Sequence, residues 1–302
     1  MKVAIFGSNG QVGSAIMGVL PRAWDIVPLS RRDVDLVCPG AVAAAVRRLQ
    51  PDVVINAAAW TAVDKAEHEP DLVRRINADA LAEMANAIGS AWLITFSSDY
   101  VFDGDKKGPY RESDQPNPLN VYGQSKLLGE QALESIGCRH LILRTSWVHS
   151  ASHPNFANTI LRLATERDQL SVVDDQVGAP TSAALIAQVT LAALMRIADG
   201  NPLRTGLYHL AASGETSWYD YAVFLCGLAR QMGLATRCGV DGLLPISSRL
   251  YKQDAVRPPN SRLDTTKLQA ALGIEMPSWQ DGVHDTVRDL RLLQTRQELS
   301  QT

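Results

Sequence analysis

Val3-Ala4-Ile5-Phe6-Gly7-Ser8-Asn9-Gly10-Gln11-Val12-Gly13 decides the fold. Four apolar residues in a row, with no alternation, read as a strand buried on both faces of a parallel sheet. Three glycines spaced three apart follow at once, and the run up to Leu20-Pro21 reads as a helix. Between a strand and a helix, Gly7, Gly10 and Gly13 permit a tight turn, close approach of backbone to a pyrophosphate, and packing of helix on strand. The helix N-terminus adds its attraction for phosphate. The expectation is a dinucleotide-binding α/β unit.

Reading onward, strand and helix patterns alternate. Asp25 to Leu29 is the second strand, and at its end Ser30-Arg31-Arg32 fits the 2′-phosphate of NADPH, since guanidinium pairs with phosphate. Asp33 and Asp35 just beyond leave NADH open. A helix over 41–50 leads to a strand over 52–57, after which Ala57, Ala58, Ala59 and Thr61 offer small side chains where a cofactor needs room. Residues 64–87 read as helix broken near Pro70, and Trp92 to Phe96 as strand. Ser97-Ser98-Asp99 then places two hydroxyls and a carboxylate at the edge that holds the glycine turn. Ser98 is a substrate hydrogen-bond donor or a helix cap; the irregular run 103–117 speaks against an immediate helix.

After Pro118 a helix carries Tyr122 and Lys126, four apart and on one face. A phenol titrates near pH 10, and a neighbouring ammonium is expected to lower that value and make Tyr122 a usable acid. The strand His140 to Thr145 follows. Beyond Ser150 the alternation weakens: 178–198 reads as a helix returning to the sheet and 206–212 as a buried strand, so two domains interleave. Residues 1–150 with about 178–212 form the dinucleotide-binding unit, and about 151–177 with 213–302 the substrate unit. Trp147, at a strand end, is suited to cover an apolar sugar face.

Composition excludes other classes. At 302 residues with 46% hydrophobic and 20% charged residues and a net charge of −3, the chain has no basic excess for nucleic acid. No signal peptide or membrane span is read, and cytoplasmic residence is expected. Cys38, Cys138, Cys226 and Cys238 are scattered, so reduced thiols and no metal site are expected; His149 and His153 lie in a loop.

Gly7-x-x-Gly10-x-x-Gly13, Asn56-Ala57-Ala58-Ala59, Ser97-Ser98-Asp99 and Tyr122-x-x-x-Lys126, in this order, resemble the extended short-chain dehydrogenase/reductase family. Thr61 to Glu67, Ser98 to Phe102, Arg144 to Val148, Asp175 to Thr181 and Arg257 to Leu263 narrow the likeness to its deoxysugar-nucleotide ketoreductases. The resemblance implies a Rossmann-type doubly wound parallel sheet with a smaller, interleaved C-terminal substrate domain. It implies NADPH-dependent reduction of the 4-keto group of dTDP-4-dehydro-L-rhamnose, for polysaccharide synthesis. Tyr122 would be the proton donor, Lys126 its partner on the nicotinamide ribose, and Ser98 stands where the family usually has threonine. Gly10, Gln11, Val12, Asp35, Leu36, Ala59, Thr61 and Phe96 match the cofactor's path. Val63, Ser98, Asp99, Tyr100, Trp147, Arg257 and Asn260 match substrate positions. Some relatives form Mg2+-linked homodimers through glutamates, whose positions look like Ala15 and Ala184 here, so no ligands can be assigned. The rivals are an epimerase or dehydratase of the same superfamily, and a non-catalytic dinucleotide-binding regulatory subunit.

Overall fold

The computed structural model describes residues 1–301, with side-chain surroundings as far as residue 295. In chain order it runs β1 Lys2–Phe6, α1 Gln11–Val19, β2 Asp25–Leu29, α2 Ala41–Leu49, β3 Val53–Asn56, α3 Val63–Ala66 and α4 Pro70–Arg74. A π-helical turn, Arg75–Asp79, joins α4 to α5 Ala80–Ala87. Then come β4 Trp92–Ser98, a 3-10 turn Asp99–Val101, α6 Val121–Ile136, β5 His140–Thr145 and β6 Val148–His149. The remainder is α7 Phe156–Glu166, β7 Leu170–Val173, β8 Val177–Gly178, β9 Thr181–Ser182, α8 Ala183–Ala198, β10 Gly206–His209, β11 Thr216–Ser217, α9 Trp218–Gln231, β12 Leu243–Ile246, α10 Thr266–Leu272 and α11 Trp279–Gln301.

Six strands form one sheet in the order β10-β5-β4-β3-β1-β2, every pair parallel. Its strands bury both faces. Val3, Ile5, Val53, Ile55 and Ile94 pack toward Ile16 of α1 and Ile186 of α8; Ala4, Phe6, Val54 and Leu93 pack toward α2, α5 and Leu133 of α6. Side chains such as Ile5 and Ile55, wholly out of water, contribute about 1.5 to 3 kcal/mol each. The first core runs on without a break into α7, α9 and α11, so the C-terminal elements share the sheet's interior. β10 returns to the sheet edge beside β5.

Local readings change in three places. The returning helix starts at Ala183, five residues later than expected, because Pro180 lacks an N–H and Ser182 caps the helix by accepting from Leu185 N at 3.1 Å. β10 ends at His209, short of 212. Ser98 does cap a helix directly: its Oγ accepts Tyr100 N–H at 3.1 Å and opens the 3-10 turn. That turn is only three residues long, so it leaves no periodicity to read.

Candidate active site

Because the strands are parallel, β1, β2, β3, β4 and β5 all end at one edge, and β1, flanked by β2 and β3, marks the switch point where such sheets bind ligands. Gly7 has φ +74, and a Cβ there would stand 2.6 Å from Ala58 N. A Cβ on Gly13 would meet Gly7 O at 2.1 Å. Only glycine fits, and no side chain caps the α1 N-terminus. A close-packed turn under uncapped N–H groups suits a pyrophosphate, so these residues fit a dinucleotide.

Other expected cofactor residues divide. Asn56 Oδ1 accepts Ala58 N–H at 3.2 Å, which sets the course of Ala57, Ala58 and the exposed Ala59 and Thr61. The Gln11 side chain is spent elsewhere: Nε2 donates to Val148 O at 3.2 Å, and Oε1 accepts from Ser150 and Asn155. Its backbone N–H is what remains for a ligand. Val12 packs on the core and Leu36 is buried in it, so those side chains face the interior. Arg31 and Arg32 are exposed after β2. Asp35 accepts Val37 N–H at 3.1 Å and pairs with Arg31 at 3.4 Å.

The three residues expected to be catalytic, Ser98, Tyr122 and Lys126, lie close together. Asn120 caps α6 by accepting Gly123 N–H at 2.8 Å, and a Cβ on Gly123 would lie 2.1 Å from Tyr100 O, so α6 seats against the 3-10 turn. Tyr122 meets Tyr100 edge-on at 5.8 Å, with the Ser98 hydroxyl beside its own. Lys126 is buried and its Nζ donates to Phe96 O at 2.6 Å. This corrects the expected tuning of the phenol. Burial pushes Tyr122 up to about 12, with no ammonium opposing it, because that ammonium is docked on β4. Burial also draws Lys126 down to about 8, against the pull of Glu130. One turn on, Glu130 is held by Arg144 of β5 through bonds of 2.9 and 2.6 Å, both residues buried.

The expected substrate residues differ in how free their side chains are. Asp99 is 3% exposed and raised to about 7 by burial. Arg257 donates to Asp64 at 2.7 Å, and its charge lies near Tyr100. Val63, partly buried, opens α3. Asn260 is a staple instead: it donates to Lys106 O and Gly108 O and accepts from Arg262, which uses its whole amide. Trp147 has φ +48 and stacks on Trp218 at 3.5 Å, while a Cβ on Gly178 would stand 2.6 Å from the indole. Trp218 is therefore its backing plate.

Asn77 stands in no motif that marks it in the sequence. From the π-helical turn it accepts Trp60 N–H at 2.8 Å, donates to Trp60 O at 3.1 Å and bonds Ser125 at 2.9 Å, tying the loop after β3 to α6. A π turn at such a place is a frequent companion of function, but it leaves the apolar pattern of the sequence unchanged.

The RmlD substrate binding domain family model matches residues 1–292. The chain is 44% identical over 297 residues to the dTDP-4-dehydrorhamnose reductase of Escherichia coli K12, covering 96% of this chain and 98% of that one. It is 45% identical over 290 residues to that of Salmonella typhimurium LT2, covering 94% and 96%. Among solved structures, it resembles the dTDP-4-dehydrorhamnose reductase of Bacillus anthracis in complex with NADP, with a TM-score of 0.85, 33% identity and coverage of 95% and 99%.

Proposed function

The chain belongs to the RmlD substrate binding domain family and is an oxidoreductase of the dTDP-4-dehydrorhamnose reductase kind; we propose how its residues perform that reaction. The 4-keto group of dTDP-4-dehydro-L-rhamnose is reduced to give dTDP-L-rhamnose. A nicotinamide dinucleotide, when bound, supplies the hydride.

The convergence of Tyr122, Ser98 and Lys126 at the carboxyl edge of the sheet carries this reading. Tyr122 keeps its proton at neutral pH and releases it to the alkoxide as that charge forms. Ser98 donates a hydrogen bond to the same oxygen. Lys126 holds the ribose, Trp147 on its Trp218 backing covers the sugar, and Arg257 with Tyr100 faces the nucleotide-sugar. NADPH is the preferred dinucleotide because Arg31 and Arg32 stand exposed after β2. The place of β10 in the large sheet supports the division into 1–150 with about 178–212, and about 151–177 with 213–302. Among the described residues no helix is long and apolar enough to cross a membrane, in keeping with a cytoplasmic setting.

Mixing the protein with NADPH and the keto sugar nucleotide should consume NADPH absorbance. No oxidation with any such sugar would overturn the reading in favour of a dinucleotide-binding regulatory subunit.

A further inference from the structure

The Ser98 hydroxyl has more claims on it than it can serve. Its Oγ accepts Tyr100 N–H at 3.1 Å, donates to Asp99 Oδ1 at 3.1 Å, and stands beside the Tyr122 hydroxyl. A serine has one hydrogen and two lone pairs. If Asp99 is ionised, the hydrogen is drawn to the carboxylate, and the lone pairs go to Tyr100 N–H and Tyr122 O–H. Nothing is then left to donate to a substrate oxygen.

The surroundings of Asp99 disfavour its charge. It is 3% exposed, and beyond the Ser98 and Ser261 hydroxyls its carboxyl group has no side-chain partner among the described residues. The groups facing it are Tyr100 on its own turn, Tyr122 from α6 and the Ser261 hydroxyl from the C-terminal segment. Among the described residues no cation meets it: Arg257 is paired with Asp64 at 2.7 Å, and Lys126 is bonded to Phe96 O. A buried carboxylate without a counter-charge takes up a proton.

We propose that Asp99 works as a carboxylic acid, whose O–H donates to Ser98 Oγ and so frees the Ser98 hydrogen for the oxygen formed as the ketone is reduced. Asp99 acts through Ser98 and is a positioning residue. The proposal rests on the reductase reading above and makes Ser98 an alkoxide donor only while Asp99 is protonated. Above about pH 7 that donor is withdrawn.

Two measurements test it. In the protein without ligands, infrared difference spectra should show a carboxylic-acid C=O band that vanishes as pH rises through about 7 and is missing in Asp99→Asn. No such band below that pH would overturn the proposal, whatever the protein's activity. In turnover, the alkaline limb of the parent's kcat profile should lie at lower pH than that of Asp99→Asn, whose amide N–H fills the same lone pair at every pH. With Ser98→Ala in the background, Asp99→Asn should leave the profile unmoved. An alkaline limb identical in parent and Asp99→Asn would overturn the inference. A parent that reduces no keto sugar would instead remove the reductase reading, with the infrared result still deciding the state of Asp99.

Discussion

Lys126 Nζ donates to the carbonyl oxygen of Phe96 at 2.6 Å, which docks the ammonium on β4 instead of on Tyr122, one turn earlier in α6. The phenol and the ammonium therefore have separable duties. Tyr122→Phe removes proton transfer alone and should lower turnover by ~10²-fold or more with dinucleotide affinity unchanged. Lys126→Ala should reduce both, because it strips the anchor on β4 and the ribose contact proposed above. Fluorescence titration with NADPH alongside steady-state rates checks the split, and near-normal turnover in Tyr122→Phe would exclude it as the donor.

The buried ammonium also costs stability. Lys126 titrates at about 8 in the folded chain, below its ordinary 10.5, so the unfolded state holds the proton more tightly between those values. The penalty is complete below pH 8 and fades as pH climbs to 10.5. Lys126→Met, of similar volume, should therefore be the more stable protein at neutral pH, by up to about 3 kcal/mol less the worth of the lost hydrogen bond. The gap should close toward pH 10.5. Urea denaturation of both proteins at two pH values gives the answer, and a gap independent of pH would point to packing alone.

Strands such as Val3 to Phe6 were legible because burial on both faces writes an unbroken apolar run, and the glycine turn because only glycine meets its close contacts. The positions of Tyr122 and Lys126 followed from helical spacing. The direction of Nζ did not, since it is set by a carbonyl thirty residues away on another element. Asn260 and Gln11 stand on the same footing: nothing local tells a ligand-facing amide from one consumed by loops at 106–108 or 148–155. The Arg144 and Glu130 pair, too, exists only once β5 lies against α6.

Magnesium should not govern assembly. Ala15 on α1 and the exposed Ala184 on α8 carry no oxygen for a hard cation, and among the described residues no cluster of His, Cys, Asp or Glu could hold a metal. If the chain pairs with a second copy, EDTA should leave the dimer intact. Sedimentation velocity with and without chelator is the measurement, and chelator-induced monomers would contradict it.

Cofactor choice turns on the segment after β2. Asp33 there is committed to Ser30, accepting its backbone N–H at 2.8 Å and its hydroxyl at 2.6 Å; Asp35 is committed to Val37 N–H. These bonds hold both carboxylates within the turn, against Ser30 and Val37. Arg31 is bound only by an exposed pair with Asp35 at 3.4 Å, a contact worth so little that the guanidinium can turn to a phosphate at small cost. Arg31→Ala with Arg32→Ala should therefore weaken NADPH by ~1.5 to 3 kcal/mol, toward the lower figure because the site is wet. NADH, lacking the phosphate, should bind as before. Added salt should erode the parent's preference and leave the double variant's unchanged, because only the parent pairs a charge there. The ratio of kcat/KM for NADPH to that for NADH, taken at low and high ionic strength, measures both effects. Equal ratios in parent and variant at low salt would make these arginines solvent-facing turn residues, and would return the ribose to Asp33 or Asp35 once their bonds to Ser30 and Val37 are broken.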